Sequence, residues 1–105
     1  MKIKEGSFNA VLVTTGRRSC KEHPVELKAV YHNDKFYFSR RNPNSDWIKN
    51  AIANPSVKIK LGGDSLLGHA SLVINEELAK KISHLKYSDN RAEESRVILE
   101  VTLYE

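Results

Sequence analysis

The chain has 105 residues, 40% apolar and 29% charged, with one cysteine and a formal net charge of +4. That length fits a single domain over 1–105 with its own core, and the composition excludes a disordered tail or a disulfide scaffold. No apolar run nears the ~18 residues of a membrane span and Met1 to Gly6 lacks the apolar core of a signal peptide, so the expected setting is the cytoplasm, with no membrane partner.

Phe8 to Thr15 is rich in β-branched residues and reads as a first strand. Gly16 to Lys21 is a polar hairpin loop. Val25 to Tyr31 is a second strand, and Pro24 belongs at a strand start, an edge or a bulge. Asn33-Asp34-Lys35 is a tight turn, followed by a third strand at Phe36–Ser39. Arg40 to Ser45 is a loop. Apolar pairs at 47/48 and 51/52 then form a helical stripe over 46–53, with Ser45 or Asp46 as its cap and Pro55 beyond its end.

Val57 to Leu61 alternates as a half-buried fourth strand, with two lysines facing out. Gly62-Gly63-Asp64 turns the chain into a fifth strand, Leu66–Ile74, with Gly68 read as a bulge. Asn75 caps a second helix near 75–87 whose acids sit beside its positive end. Leu78, Ile82 and Leu85 are its expected buried stripe. Arg96 to Tyr104 is a sixth strand, with Val97, Leu99, Val101 and Leu103 on one face. The order β-β-β-α-β-β-α-β predicts a mainly β fold: a small six-stranded antiparallel barrel flanked by two helices.

Catalytic and metal templates do not match. His23, His32, His69 and His84 have no metal-ligand spacing, and each reads as a surface or packing residue. Cys20 lies beside Arg17, Arg18 and Lys21, charges that favour a thiolate, yet no nucleophile signature surrounds it. No glycine-rich dinucleotide or phosphate loop occurs. No residue can be named as catalytic, so an enzyme on this chain would rely on a cofactor for its chemistry.

Two basic loops stand out. Residues 1–60 hold 12 Lys/Arg against five Asp/Glu, while 61–105 hold five against eight. A basic half favours an anionic partner. Thr14-Thr15-Gly16-Arg17-Arg18-Ser19 and Ser39-Arg40-Arg41-Asn42 carry forked guanidinium groups, hydroxyls and a glycine that admits backbone N–H groups to an anion. In an up-and-down run of strands, the loops after strands one and three lie at the same end, so four arginines can converge.

These residues carry a family resemblance. Thr14-Thr15-Gly16-Arg17-Arg18-Ser19, then Ser39-Arg40, then Trp47-Ile48-Lys49-Asn50-Ala51-Ile52-Ala53-Asn54-Pro55-Ser56-Val57 resembles the deazaflavin (coenzyme F420)-dependent nitroreductase family. That family belongs to the FMN-binding split-barrel group, which also holds the pyridoxamine 5'-phosphate oxidases. The resemblance is detailed from Phe8 to Gly63 and thinner beyond. Cys20 stands where the family has Gly, and Ser45 where it has Pro. Tyr87 to Glu94 is short and polar where relatives carry aromatic residues.

The resemblance implies a split barrel that binds F420, with FMN as the alternative, in a homodimer with cofactors near the interface. It places Thr15, Gly16, Arg17, Arg18, Ser19, Ser39 and Arg40 on the cofactor's anionic parts and Trp47 near its ring. It implies a flavin- or deazaflavin-dependent oxidoreductase that passes a hydride to a small acceptor. The alternatives are a cofactor-binding module without catalysis and, less favoured, a nucleic-acid binder using Tyr31, Tyr37 and Phe38 beside Arg40 and Arg41.

Overall fold

The computed structural model describes residues 3–40, 45–86 and 97–104. The chain runs β1 (Gly6–Thr15), β2 (Glu22–His32), β3 (Lys35–Arg40), α1 (Asp46–Ala53), β4 (Ser56–Leu61), β5 (Asp64–Leu72), α2 (Glu76–Lys86) and β6 (Val97–Leu103). The strands close a barrel in the order β1-β2-β3-β6-β5-β4. Every pairing is antiparallel. The expected element order and fold class are therefore those observed. Among the described residues, no helix is long and apolar enough to cross a membrane.

The strand alternation sorts side chains to two faces. Leu12, Ala29, Phe36, Phe38, Ile59 and Val101 are fully buried inside the barrel. Phe8 and Phe36 meet edge to face, with ring centroids 6.2 Å apart. Trp47, Ile48 and Ala51 of α1 join this same cluster, so the helix plugs one end of the barrel. Outside the wall, α2 covers Val30, Tyr37 and Ile98 with Ile82.

The turns follow their residue types. Asn33 and Asp34 both take positive φ, 50° and 63°, which a two-residue hairpin matched to strand twist requires. Gly62 takes φ +61° between β4 and β5. Asn75 caps α2, its Oδ1 accepting the Leu78 N–H at 3.1 Å. Ser45 occupies the N-cap of α1, but its side chain makes no cap hydrogen bond.

Three sequence expectations are corrected. Gly68 is not a bulge, since it stays in register opposite Val57 and Leu103. Glycine is needed there because a Cβ would stand 2.6 Å from Val101 Cγ1 and 2.9 Å from the Thr102 carbonyl oxygen. Leu85 does not belong to the buried stripe of α2 and is 42% exposed. The inner face of that helix instead carries Ile82, Ser83 and Lys86. Lys86 buries its apolar stem and delivers Nζ to Ser39, at 2.9 Å from Oγ and 3.3 Å from the carbonyl oxygen. The fifth strand also begins earlier and ends earlier than the alternation suggests, leaving Ile74 93% exposed past its end.

One feature of the register sets up the site. β1 pairs with β2 along the whole of Glu22–Tyr31. β3 pairs with β2 only from Ala29 to His32. Among the described residues, the first half of β2 therefore pairs on one side only. Pro24, which lacks an N–H, sits in that half, as its place at a strand edge requires.

Candidate functional site

The end of the barrel plugged by α1 gathers the β1–β2 loop, the end of β3 and the first turn of the helix. Two adjoining clefts open there. One, of about 330 Å³, lies between the one-sided half of β2 and α1, bordered by His23, Pro24, Arg40, Trp47 and Asn50. The other, of about 230 Å³, is walled by Gly16, Arg17, Arg18, Ser19 and His23. His23, Asp46 and Asn50 border both. The hairpin argument that put loops one and three at the same end thus holds for Arg17, Arg18 and Arg40. Arg41 lies outside the described residues.

The loop is held to α1 by side chains. Asn50 is buried, and its Oδ1 accepts Arg17 Nη1 at 2.7 Å and the Arg17 backbone N–H at 3.3 Å. Its Nδ2 donates to Thr14 Oγ1 at 3.5 Å. Asn54 Nδ2 donates to the Thr15 carbonyl at 3.3 Å. Arg17 Nη2 reaches Asp46 at 3.4 Å, an ion pair open to solvent on the Asp46 side. Within the loop, the Gly16 N–H donates to the Lys21 carbonyl at 2.8 Å and the Cys20 N–H to the Gly16 carbonyl at 2.9 Å. Cys20 takes φ 59°, a conformation that favours the glycine of the family pattern.

The expected site residues divide into two groups. Gly16, Arg17, Arg18, Ser19, Arg40 and Trp47 border the clefts. Thr15 and Ser39 do not. Thr15 gives its carbonyl to Asn54, and Ser39 is buried and bonded to Lys86. Both support neighbouring cleft residues. Arg17 spends part of its donor set on Asn50 and Asp46, while Arg18 and Arg40 are exposed.

Six cleft residues were not among those expected: His23, Pro24, Val25, Ser45, Asp46 and Asn50. Asn50 and Asp46 sit on the face of α1 that turns toward the loop, and the Asn50 spacing from Trp47 was a visible signal. His23 carried no such signal, because its place depends on where β3 stops pairing with β2.

The clefts can hold an anion on one side and a flat apolar group on the other. Arg18, Arg40 and the Ser19 hydroxyl are donors with spare capacity. Trp47 is 7% exposed, and its indole Nε1 is buried without a hydrogen-bond partner among the described residues. A buried orphan donor costs free energy comparable to a lost hydrogen bond.

Comparisons with known proteins agree with this geometry. The family model described as F420H(2)-dependent quinone reductase matches residues 2–99. A structure provisionally described as a pyridoxamine 5'-phosphate oxidase from Listeria innocua superposes with a TM-score of 0.78 at 17% identity, covering 92% of this chain and 84% of that one. The structure of an F420-H2 dependent reductase, FDR-A, gives a TM-score of 0.69 at 23% identity, covering 89% of this chain and 92% of that one. A chain described as a domain-swapped dimer gives 0.71 at 24% identity, covering 89% of this chain and 78% of that one. A search of curated protein sequences gives no match. The fold is that of the split-barrel structures, as the sequence resemblance implied.

Proposed function

Because the chain belongs to the F420H(2)-dependent quinone reductase family, we propose that it binds the deazaflavin F420 at the α1 end of the barrel and reduces a small acceptor. The family's name points to a quinone as that acceptor. The observation that carries this reading is the pair of clefts sharing His23, Asp46 and Asn50, with Arg18 and Arg40 at their rims and Trp47 in one wall.

The residues present fit such a cofactor. Arg18, Arg40, Ser19 and the Gly16 turn suit its phosphate and acidic tail. Trp47 offers an apolar wall to its ring system. When bound, the deazaflavin supplies the hydride. The protein's part is to bind, orient and exclude water. Asn50 fixes the Arg17 loop, α1 closes the barrel end, and Lys86 anchors the strand end that presents Arg40. No side chain is needed as a nucleophile.

The reading extends to a homodimer. Leu67 of β5 and Ile74 just beyond it are exposed at 57% and 93%, apolar side chains that a second copy would cover. It also extends to a cytoplasmic setting, in which the exposed Cys20 remains a thiol.

The deciding experiment titrates the purified protein with F420 and, separately, with FMN, following absorbance and Trp47 fluorescence. Trp47 is the chain's one tryptophan, so its quenching reports on the cleft. Saturable binding of F420, with a Trp47→Phe variant that folds normally and binds more weakly, is the expected result. Binding of FMN alone would replace F420 by FMN in this reading. Binding of neither would end it.

A further inference from the structure

We infer that His23 is a ligand-contacting residue of this site whose protonation both holds the Ser19 hydroxyl proton free for an anion and adds a positive charge beside it. The inference rests on the reading that the two clefts hold an anionic ligand.

His23 is the side chain at their junction, bordering both. Its Nε2 lies 3.0 Å from Ser19 Oγ. The same Oγ accepts the Lys21 backbone N–H at 3.3 Å. Space for the pair comes from Gly16, where a Cβ would collide with Ser19 Oγ and stand 2.6 Å from His23 Nε2. The glycine of the loop therefore serves this side-chain pair as well as the turn.

A serine hydroxyl has one proton and two lone pairs. With neutral His23 accepting at Nε2, Ser19 donates its proton to the imidazole and has none for a ligand. With the imidazolium, Nε2–H donates to Ser19 Oγ. Lys21 N–H and His23 Nε2–H then fill both lone pairs, and the hydroxyl proton turns outward. The same protonation places a cation where the cleft bordered by Arg18 meets the cleft bordered by Arg40. The other neutral tautomer frees the hydroxyl but adds no charge, so the imidazolium alone supplies both gains.

The surroundings shape this step. The charged groups bordering the same clefts are Arg17, Arg18, Arg40 and Asp46. Lys21 and Glu22 flank His23 in the chain, and Glu22 is paired with Lys58 at 3.1 Å. Across the β1 ladder His23 faces Thr14, which is uncharged. Bound anion and imidazolium stabilise each other, so proton uptake and anion binding are coupled and the coupling is reciprocal. Histidine changes charge in the range between about pH 5 and 8, so the site discriminates for anions as the pH falls.

The test measures binding of F420 and of inorganic sulfate to the full chain at about pH 8 and about pH 5.5, where sulfate keeps its charge. The variants are His23→Gln, His23→Arg, Ser19→Ala and Asp46→Asn. Affinity of the native protein is expected to rise about tenfold toward the lower pH, the gain of roughly one charge-assisted hydrogen bond. H23Q should show less than a twofold change. H23R should bind tightly at both values, which separates loss of charge from loss of shape. S19A should keep a reduced pH dependence, and D46N the full one.

If F420 binds but its pH dependence is the same in H23Q as in the native protein, the inference is overturned while the cofactor reading stands. If sulfate binds through His23 with the expected pH dependence and F420 binds at neither pH, the inference stands and the cofactor reading falls. If neither probe binds, both fall.

Discussion

Arg17 and Asn50 lie 33 residues apart and are joined twice, through the guanidinium Nη1 at 2.7 Å and the backbone N–H at 3.3 Å, both to the same buried amide oxygen. The loop that carries Arg18 and Ser19 is thereby fixed to the helix that carries Trp47. The position of one wall of the site depends on the other.

Replacing Asn50 by Leu removes the acceptor and leaves the Arg17 donors facing an apolar group. A hydrogen bond to a charged partner is worth about 1.5–3 kcal/mol, and the orphaned donors add to that loss. Asn50→Leu is therefore expected to destabilise the fold by about 2 kcal/mol, seen as a lower urea midpoint with an unchanged slope.

Arg18 and Arg40 hold no comparable structural bond in the described residues. Arg18→Ala and Arg40→Ala should each weaken F420 binding roughly ten- to a hundredfold, the loss of about 1.5–3 kcal/mol of charged hydrogen bonding. The melting temperature of the unliganded protein should hardly move. Affinity should also fall with added salt, because both groups lie at an open rim. Mutants that lose stability rather than affinity would show these arginines to be structural.

Gly68→Ala places a methyl against the Thr102 carbonyl and Val101 in a closed strand pair. Overpacking of this kind costs typically 1–3 kcal/mol. The expected outcome is a drop of that size in unfolding free energy, whereas Gly63→Ala, with nothing within 4 Å of the added carbon, should change stability little.

Tyr37 gives the fold an alkaline limit. Burial, then its hydrogen bond to Glu100 at 3.0 Å and that carboxylate's charge, push its phenol up from 10.0 to about 12. The folded state holds the phenolic proton more tightly than the unfolded chain. This contribution is complete below pH 10 and is lost as the pH rises from there toward 12. Denaturant midpoints should thus fall above pH 10, and the fall should be smaller in Tyr37→Phe. An equal decline in both proteins would count against it.

Much of the barrel was legible because strand alternation and turn residues act locally. Asn33-Asp34 and Gly62-Gly63 fixed two hairpins, and Trp47/Ile48 with Ala51 fixed α1. The convergence of Arg18 and Arg40 was legible from hairpin parity alone. What escaped depends on contacts between distant segments. A strand glycine signals either a bulge or a close backbone approach, and only Val101 and Thr102 across the sheet decide that for Gly68. Leu85 fits a helical stripe as well as Lys86 does, until Ser39 is seen to receive the lysine. His23 was read as a packing or surface residue because no periodicity announces the place where β3 leaves β2.

The ring is closed by β6 against β3, joining Tyr37 to Glu100 over 63 residues. Closing so long a loop costs entropy before any contact is returned. Barrels of non-local strand pairs accordingly fold in milliseconds to seconds. The β1–β2–β3 hairpins can form early, and with them the Arg17–Ser19 loop and Arg40. The buried face of α2 and the Lys86 anchor wait for the last strand. A nascent chain therefore displays its arginines before Lys86 secures the strand end that carries Arg40, and full anion affinity should appear in refolding only with the slowest phase.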